Sequence, residues 1–207
     1  MATVAKTKST PAKGGRRTQA QRRAESRQAV LDSALKLFGE KGYAQTSLDD
    51  IAADCGLTIR PIYHYFGNKQ ALFGAVNEVM ERRILEAMRV GEGGAGLEEN
   101  WRAYLDLCDD PAFCRIVLVD SPNILGRERW ASSPVSEKAR ASLVSTGEGG
   151  SRQQLRAELQ SAIFMGALTA AALAIAEADD MELAKSEAAH VMAPLFSALR
   201  GQVDPGR

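Results

Sequence analysis

The sequence predicts an all-α protein with a small N-terminal unit and a larger C-terminal one. Apolar residues recur at helical spacing along most of the chain, and the alternating runs and β-branched clusters typical of strands are missing. Glycine-rich stretches at 91–96 and 145–150 interrupt the periodic segments and are predicted to be connectors. We therefore expect short helices at the N-terminus, a long helix over 69–90 and further helices beyond it.

Charge is unevenly distributed along the chain. The 207 residues have a formal net charge of zero, yet residues 1–90 hold 15 basic against 9 acidic side chains, and residues 91–207 hold 11 against 17. Residues 1–28 carry eight Lys and Arg side chains against a single acid, Glu25. We predict that residues 1–23 form a basic flexible arm that binds a polyanion, with a merely solvated tail as the alternative.

The sequence lacks the signatures of an enzyme or a metal protein. It contains no H-E-x-x-H, G-x-S-x-G, nucleotide-loop or C-x-x-C motif, and its two histidines are too far apart to suggest a catalytic dyad. The three cysteines match no zinc spacing, so we expect reduced thiols, no metal and no cofactor. The residues concerned are His64, His190, Cys55, Cys108 and Cys114.

No segment of the sequence is predicted to span a membrane. The longest uncharged apolar run, 162–176, is shorter than the roughly 20 residues that a membrane helix needs. The N-terminus lacks the apolar core of a secretory signal. We therefore expect a cytoplasmic protein without a membrane partner.

Capping signals define the first two helices. The first helix is predicted to begin near 21–26 and to end at Lys41, because Gly42 suits the position after a helix. Either Thr46 or Ser47 caps the second helix. The second helix carries an apolar stripe and acidic residues in its first turn, and Gly56 ends it: the stripe is Leu48, Ile51, Ala52 and Cys55, and the acids are Asp49 and Asp50.

Three residues then predict how the second and third helices cross. Two short helices cross steeply only when a small residue lies at the crossing and the turn accepts a positive φ. Ala52 is the small residue, Gly56 supplies the turn, and Ile62 is placed to insert against the second helix. This spacing predicts a helix-turn-helix unit, whose second helix enters the major groove of DNA.

The stretch from Thr58 to Lys69 carries the predicted contacts of this unit. Thr58 caps the third helix, and Ile59, Arg60 and Pro61 form a stiff, exposed first turn in which arginine suits guanine. We expect Tyr63 and His64 to face outward as phosphate donors, whereas Tyr65 and Phe66 are expected in the core. Asn68 caps the long helix, and Lys69 at its first position suits a phosphate bound there.

The span 24–72 resembles the N-terminal domain of the tetracycline-repressor (TetR) family of bacterial regulators. The matching pieces are LFGEKGYAQTSLDDIA, CGLT and IYHYFGNKQAL, in this order and spacing. The resemblance implies an all-α fold with a three-helix helix-turn-helix DNA-binding domain over 24–70. A long helix then joins it to a ligand-binding and dimerisation domain over 71–207.

The resemblance also implies roles for individual residues. Ile59 and Arg60 approach bases, although Arg60-Pro61 departs from the small residues often found there. The basic arm, with Arg16 and Arg17, is expected to follow the minor groove or the backbone. The residues implied to contact phosphates are Thr46, Ser47, Thr58, Tyr63, His64 and Lys69.

The C-terminal two-thirds is predicted to form dimers and to bind a small molecule. Two long helices are expected over 151–178 and 180–200, with a bend at Pro194, and the alanine-rich first one needs neighbours on both sides. A helix is expected over 135–144, and the segment 121–134 is predicted to be irregular. Candidate walls of an apolar ligand pocket are Trp101, Tyr104, Phe113, Trp130, Phe164 and Met165, although each aromatic residue also fits a plain core.

These features predict a ligand-responsive transcriptional regulator that acts as a homodimer on a palindromic operator. A small apolar molecule would favour a conformation whose two recognition helices no longer match successive major grooves, so that a repressor leaves the DNA. The alternative is a ligand-independent DNA-binding regulator or chromosome-associated factor of the same fold, with a filled pocket.

Overall fold

The computed structural model describes residues 18–88, 97–126, 128–129, 132–143 and 151–200, and this part of the chain is helical without strands. The predicted all-α fold is therefore confirmed. The N-terminal helices are α1 (Gln19–Lys41), α2 (Leu48–Asp54), α3 (Ile59–Phe66) and the long α4 (Lys69–Ala87). They are followed by α5 (Leu97–Leu107), α6 (Pro111–Phe113), a π-helix (Cys114–Asp120), α7 (Ser121–Ile124), α8 (Pro134–Leu143), α9 (Ser151–Ala176) and α10 (Met181–Arg200).

Helix α1 begins earlier than predicted, within the residues assigned to the basic arm. Thr18 caps it: the Thr18 hydroxyl accepts a hydrogen bond from the Gln21 N–H at 3.2 Å, and the Gln21 side chain accepts one from the Thr18 N–H at 2.8 Å. This capping box satisfies two helix-end donors, so residues 19–23 are helical rather than part of an arm. The predicted end is confirmed, because α1 ends at Lys41 and Gly42 follows with a φ of +81°.

Helices α1 to α4 share one apolar core. Ile51 of α2 and Ile62 of α3 are both fully buried, which confirms that Ile62 inserts against the second helix. Burial of such side chains stabilises the unit by about 1.5–3 kcal/mol each. The other fully buried side chains of this core include Val30, Ala34, Phe38, Leu72, Phe73 and Val76.

The segment after α5 is more regular than predicted. Asp110 caps α6 by accepting a hydrogen bond from the Ala112 N–H at 3.0 Å, and the helical path then continues through the π-helix into α7. The prediction that 121–134 is wholly irregular is wrong, because Ser121–Ile124 is helical. Pro122 is compatible with this helix because it stands in the first turn of α7, where a missing N–H costs least.

Two hydrogen bonds join the N-terminal helices to this segment. The Tyr43 N–H, in the turn after α1, donates to Asp120 Oδ2 at 2.8 Å. The Gln70 amide, in the first turn of α4, donates to the Ile124 carbonyl at 2.8 Å. The π-helix and α7 therefore hold the turn after α1 and the start of α4 in place.

Helices α9 and α10 pack against each other at the C-terminal end of the described chain. Phe164 and Phe196 meet edge to face, with ring centroids 5.5 Å apart. Pro194 lies inside α10, and the bend expected there stays a prediction. By length and composition alone, residues 154–176 of α9 are long and apolar enough to cross a membrane, a property that core helices of soluble proteins share.

Candidate nucleic-acid interface

The turn between α2 and α3 has the geometry that the sequence predicted. Gly56 has a φ of +67°, a conformation that side-chain-bearing residues rarely adopt, and a Cβ built there meets nothing within 4 Å. The glycine is therefore required by the backbone rather than by lack of space. The Leu57 N–H donates to the Ala52 carbonyl at 2.9 Å and closes the turn over the buried Ala52.

Helix α3 presents one polar face to solvent. Arg60, Tyr63 and His64 are spaced i, i+3, i+4, so they share a face, and all three are exposed, with Tyr63 at 52%. On the opposite face Ile62 is fully buried, and Ile59 and Phe66 pack partly against the core. Ile59 is thus turned towards the core and does not share the outward face of Arg60.

The start of α3 has a free side-chain oxygen. Thr58 occupies the N-cap position, as predicted, but its side chain makes no capping hydrogen bond, and the residue is exposed. Pro61 lies in the first turn of α3 and is partly exposed. The Thr58 hydroxyl is therefore available to a group outside the protein.

The start of α2 differs from that of α3, and here the structure contradicts one prediction made from the sequence. Thr46 is 1% exposed, and its hydroxyl lies 2.8 Å from the Gly42 carbonyl and 3.1 Å from the Leu37 carbonyl. A side chain buried in this way cannot reach a phosphate, so the predicted phosphate contact of Thr46 is wrong. Thr46 instead fastens the turn between α1 and α2.

Ser47 is exposed, but its donors are already engaged. Its N–H donates to Asp50 Oδ2 at 2.9 Å, and its hydroxyl donates to the same oxygen at 2.6 Å. The hydrogen bond from the Ser47 hydroxyl, followed by that from its N–H, lowers the pKa of Asp50 below its usual value. Of the two caps that the sequence allowed, Thr46 and Ser47, the structure has Ser47. Ser47 would have to release Asp50 to contact a phosphate.

Lys69 lies at the first position of α4, behind the predicted cap. Asn68 Oδ1 accepts a hydrogen bond from the Ala71 N–H at 2.8 Å, which confirms that Asn68 caps α4. The Lys69 ammonium lies 4.2 Å from the centroid of the Tyr43 ring, and burial lowers its pKa. Its positive charge is thus held over the turn between α1 and α2.

Arg27 lies beside α3 but was not among the contact residues predicted from the sequence. Its guanidinium lies 5.0 Å from the centroid of the Phe66 ring and links α1 to the end of α3. Arg23, one helical turn earlier on α1, is also exposed, and this i, i+4 pair of arginines was the signal available in the sequence. Arg16 and Arg17 lie outside the described residues.

The predicted pocket residues fall into two aromatic groups. Trp101 and Tyr104 stack with centroids 5.9 Å apart, and Tyr104 meets Phe113 edge to face at 5.9 Å. Phe164 packs against Phe196, as described above. Trp101, Tyr104, Phe113 and Phe164 are buried, Met165 is partly buried, and Trp130 lies outside the described residues.

A buried polar cluster beside α4 was not predicted. The Asn77 amide donates to Glu81 Oε1 at 2.9 Å, and Arg129 donates to the same oxygen at 3.1 Å. Asn77 and Glu81 are 1% and 4% exposed. Their spacing of four residues, within a helix face that also carries Phe73 and Met80, was a signal in the sequence.

Two buried polar atoms in this region lack a hydrogen-bond partner within the described part of the chain. They are Asn77 Oδ1, an acceptor, and Trp101 Nε1, a donor. Burial of an unpaired polar group costs about 1–3 kcal/mol. Such atoms are therefore places where a bound molecule gains affinity by supplying the missing partner.

The fold and the outward face of α3 define a helix-turn-helix transcriptional regulator. A model of bacterial regulatory proteins of the tetR family matches residues 30–76, and a model of the tetracyclin repressor-like C-terminal domain matches residues 95–199. The second match alone covers half of the chain. The chain belongs to the TetR family, as the sequence analysis predicted, and members of this family bind DNA, are dimeric and are not enzymes generally.

Curated relatives resemble part of the chain. AcrR of Shigella flexneri, an HTH-type transcriptional regulator, is 44% identical over 62 residues, which are 30% of this chain and 29% of AcrR. IcaR of Staphylococcus aureus strain Newman, a negative transcriptional regulator of a biofilm operon, is 39% identical over 44 residues, 21% of this chain and 24% of IcaR. The chain thus matches less than a third of the length of either relative.

A solved structure resembles nearly the whole chain. A TetR-family transcriptional regulator from Pectobacterium atrosepticum is 29% identical, with a TM-score of 0.64, over 88% of this chain and 97% of that one. The C-terminal helices therefore follow the architecture of the family as well.

Proposed function

We propose that the protein is a homodimeric repressor that binds a palindromic operator and leaves it when a small apolar molecule binds. The observation that carries this proposal is the two-sided helix α3, with Ile62 fully buried on one face and Arg60, Tyr63 and His64 exposed on the other. A recognition helix needs this division, because one face must be fixed to the protein while the other enters the major groove.

Arg60 is proposed as the residue that reads bases. It is exposed in the first turn of α3, and a guanidinium donates two hydrogen bonds to guanine O6 and N7. Pro61 stiffens the same turn by fixing its own φ. Ile59 has a smaller proposed part, since it packs partly against the core.

The proposed phosphate contacts flank α3 on both sides. Thr58 offers a hydroxyl without an internal partner, Tyr63 and His64 offer exposed polar tips, and Lys69 adds positive charge at the start of α4. Ser47 contributes only after releasing Asp50. The basic arm, including Arg16 and Arg17, is proposed to follow the DNA backbone.

The proposed dimer uses α9 and α10. Leu155, Leu159 and Ile163 recur every four residues on α9 and are exposed at 56%, 55% and 69%. On α10, Leu183 and Val191 are exposed at 58% and 70%. Exposed apolar side chains on two adjacent helices favour burial against a second copy of the chain. A two-fold dimer also matches an inverted repeat in the DNA. This face also accounts for the apolar character of α9 in a cytoplasmic protein.

The proposed effector binds in the region of α4 and α5, within a regulatory domain assigned to 71–207. The buried aromatic rings provide apolar surface there. The unpaired Trp101 Nε1 and Asn77 Oδ1 favour a ligand that carries one hydrogen-bond acceptor and one donor on an apolar body. Because α4 begins beside the recognition helix, movement of α4 would change the spacing of the two recognition helices.

One observation favours the ligand-independent alternative. Trp101, Tyr104 and Phe113 pack on one another, so these rings fill space that an effector would need. A regulator of this kind would keep every proposed DNA contact but would not respond to a small molecule.

Selection from random-sequence duplexes tests the proposal. The purified chain is mixed with the duplexes at physiological salt, and the retained DNA is sequenced. We expect inverted repeats whose half-sites lie about one helical turn, or a multiple of it, apart. Retention without sequence preference would favour the chromosome-associated alternative, and no retention by a folded dimer would contradict the proposal. Release of a selected duplex by apolar compounds then distinguishes the two modes of regulation.

A further inference from the structure

Two buried thiols meet at the junction of α5 and α6. Cys108 follows the last residue of α5, and Cys114 is the first residue of the π-helix. The Cys114 thiol donates to the Cys108 carbonyl at 3.2 Å, and the Cys108 thiol donates to the Tyr104 carbonyl at 3.6 Å. Cys108 is fully buried and Cys114 is 8% exposed. The third cysteine, Cys55, lies apart from them at the end of α2.

The two thiols are neighbours, because the Cys114 sulfur lies 3.2 Å from the Cys108 carbonyl oxygen. Interaction with the Cys108 thiol lowers the pKa of Cys114, and interaction with the Cys114 thiol raises the pKa of Cys108. The Cys114 thiolate is therefore more populated near neutral pH than an isolated buried thiol would be, and a thiolate is the form that reacts with oxidants. Among the described residues no group of three or more His, Cys, Asp or Glu side chains could hold a metal ion. The pair thus fits thiol oxidation better than metal binding.

The turn between the two cysteines is tied to the rest of the fold. Arg83 of α4 forms a salt bridge with Asp110 at 2.9 Å, and Lys185 of α10 forms one with Asp109. Asp110 also caps α6, as described above. Any change in this turn therefore acts on α4, which leads to the recognition helix, and on α10, which belongs to the proposed dimer face.

The segment after this turn also packs directly on α1. A Cβ built on Gly39 would lie 2.4 Å from the Ala112 Cβ, so α1 and α6 are in the closest contact that a glycine allows. Two residues after this contact stands Cys114. Further along the π-helix, Asp120 holds the Tyr43 N–H beside Lys69. Because α6 packs tightly on α1 and Asp120 is bonded to Tyr43, a shift of α6 and the π-helix would also move the turn after α1.

We propose that Cys108 and Cys114 form an intramolecular disulfide on exposure to a peroxide, and that this disulfide weakens DNA binding. The second part rests on the proposed function as a DNA-binding regulator. The site takes a two-electron oxidant as its substrate class, and it adjoins the proposed effector region because the Cys108 thiol contacts the Tyr104 carbonyl.

The reaction is balanced by the peroxide alone. Cys114 loses its proton, and the thiolate attacks one peroxide oxygen; the O–O bond breaks, giving a sulfenic acid and a hydroxide that takes up a proton to become water. The Cys108 sulfur then attacks the Cys114 sulfur, the S–O bond breaks, and a second water leaves with the Cys108 proton. Two thiols are oxidised by two electrons to one disulfide, and one hydrogen peroxide is reduced to two waters.

Disulfide geometry explains the effect on DNA binding. A disulfide fixes the sulfur atoms about 2.05 Å apart, much closer than two unbonded thiols can lie. The turn must adjust to reach this distance, and the same turn carries Ala112, which packs on Gly39, and the ion pairs of Asp109 and Asp110. We expect the oxidised protein to bind its selected duplex about tenfold more weakly than the reduced protein, a common size of coupling between sites.

Peptide mass is the primary measurement, because the sequence offers a convenient fragment. Trypsin cuts after Arg102 and Arg115, so both cysteines fall in the one peptide 103–115, whereas Cys55 lies in another. The reduced full-length protein is treated with hydrogen peroxide, and the remaining thiols are blocked before digestion. We expect the peptide 103–115 to be lighter by two hydrogen atoms and unblocked, and dithiothreitol to restore both its thiols and the affinity for DNA.

Variants separate this pair from the third thiol. Cys55→Ser retains the pair and should respond to peroxide as the wild type does. Cys108→Ser and Cys114→Ser remove the pair, and their DNA affinity should be unchanged by peroxide; the wild-type peptide decides the matter if either variant fails to fold. A peptide 103–115 that still carries two blocked thiols after peroxide treatment, or sulfinic acid at Cys114 without a disulfide, would overturn the proposal.

Failure of the disulfide proposal can be distinguished from failure of the proposed function. If the disulfide forms and DNA affinity stays the same, the regulatory part of the proposal is wrong. If the reduced protein binds no duplex at all, the proposed function fails, and the mass of peptide 103–115 still decides whether the disulfide exists.

Discussion

The turns that precede α2 and α3 carry the same kinds of residue but use them differently. Before α2, the Thr46 hydroxyl is buried against the Leu37 and Gly42 carbonyls, and Ser47 is bound to Asp50. Before α3, the Thr58 hydroxyl is exposed and makes no capping bond. A hydroxyl at a helix start is therefore either an internal support or an available donor, and its partners, not its position, decide which.

The largest expected effect is on the free energy of unfolding, which should fall when Thr46 is replaced but not when Thr58 is replaced. Thr46→Val keeps the shape of the side chain but removes the buried hydroxyl and its hydrogen bond to the turn, which should cost about 2 kcal/mol of unfolding free energy. Thr58→Val is the matched control, and it should change the stability by less than about 0.5 kcal/mol because no internal bond is lost. Urea denaturation measures both. Equal losses in the two variants would show that the comparison of the turns is mistaken.

The next effect is on DNA affinity, and it distinguishes the proposed base contact of Arg60 from the proposed phosphate contacts of Tyr63 and Lys69. Arg60→Ala should weaken binding to the preferred duplex by about 1.5 kcal/mol and relax the preference at one position of each half-site. Tyr63→Phe and Lys69→Ala should weaken binding to all duplexes about equally, because they remove proposed phosphate contacts. Fluorescence anisotropy with matched and mismatched duplexes measures the difference. An unchanged preference in Arg60→Ala would mean that another residue reads the bases.

The smallest effect tests the cap of α2 through its pH dependence. The folded protein lowers the pKa of Asp50, so the stability from its bonds to Ser47 is present above the unfolded pKa of about 3.9 and is lost as the pH falls through the lower folded value. The melting temperature of Asp50→Asn should therefore lie below that of the wild type at pH 7, with the gap closing below about pH 4. Asp49→Asn removes a charge in the same turn and leaves the bonds between Ser47 and Asp50 intact. A gap that is constant with pH would argue against the cap.

Most of the N-terminal fold followed from local signals in the sequence. Gly56 marked the turn, Asn68 marked the start of α4, and Ile62 marked the buried face of α3, and each of these is confirmed. Such signals are reliable because they depend on neighbours a few residues away. The start of α1 was placed too late because the Thr18–Gln21 capping box lies within a run of basic residues that suggested an arm.

The candidate site was predicted less completely for a physical reason. The family resemblance implied a phosphate contact for Thr46, yet its hydroxyl is buried against the carbonyls of Gly42 and Leu37, four and nine residues away. The helix Ser121–Ile124 was missed because Pro122 is usually a sign of a loop. The polar pair Asn77 and Glu81 passed unnoticed within an apolar helix face.

The sequence by itself determined most of the helices, the cap of α4, the helix-turn-helix crossing and the family to which the chain belongs. Tertiary structure decided which polar groups are still available: it buried Thr46, placed Lys69 over Tyr43, joined Asp120 to Tyr43 and brought Cys108 beside Cys114. The reason is that a helix and its caps depend on residues within about one turn. Whether a hydroxyl, an ammonium or a thiol is free depends on what the packed chain brings against it from elsewhere in the fold.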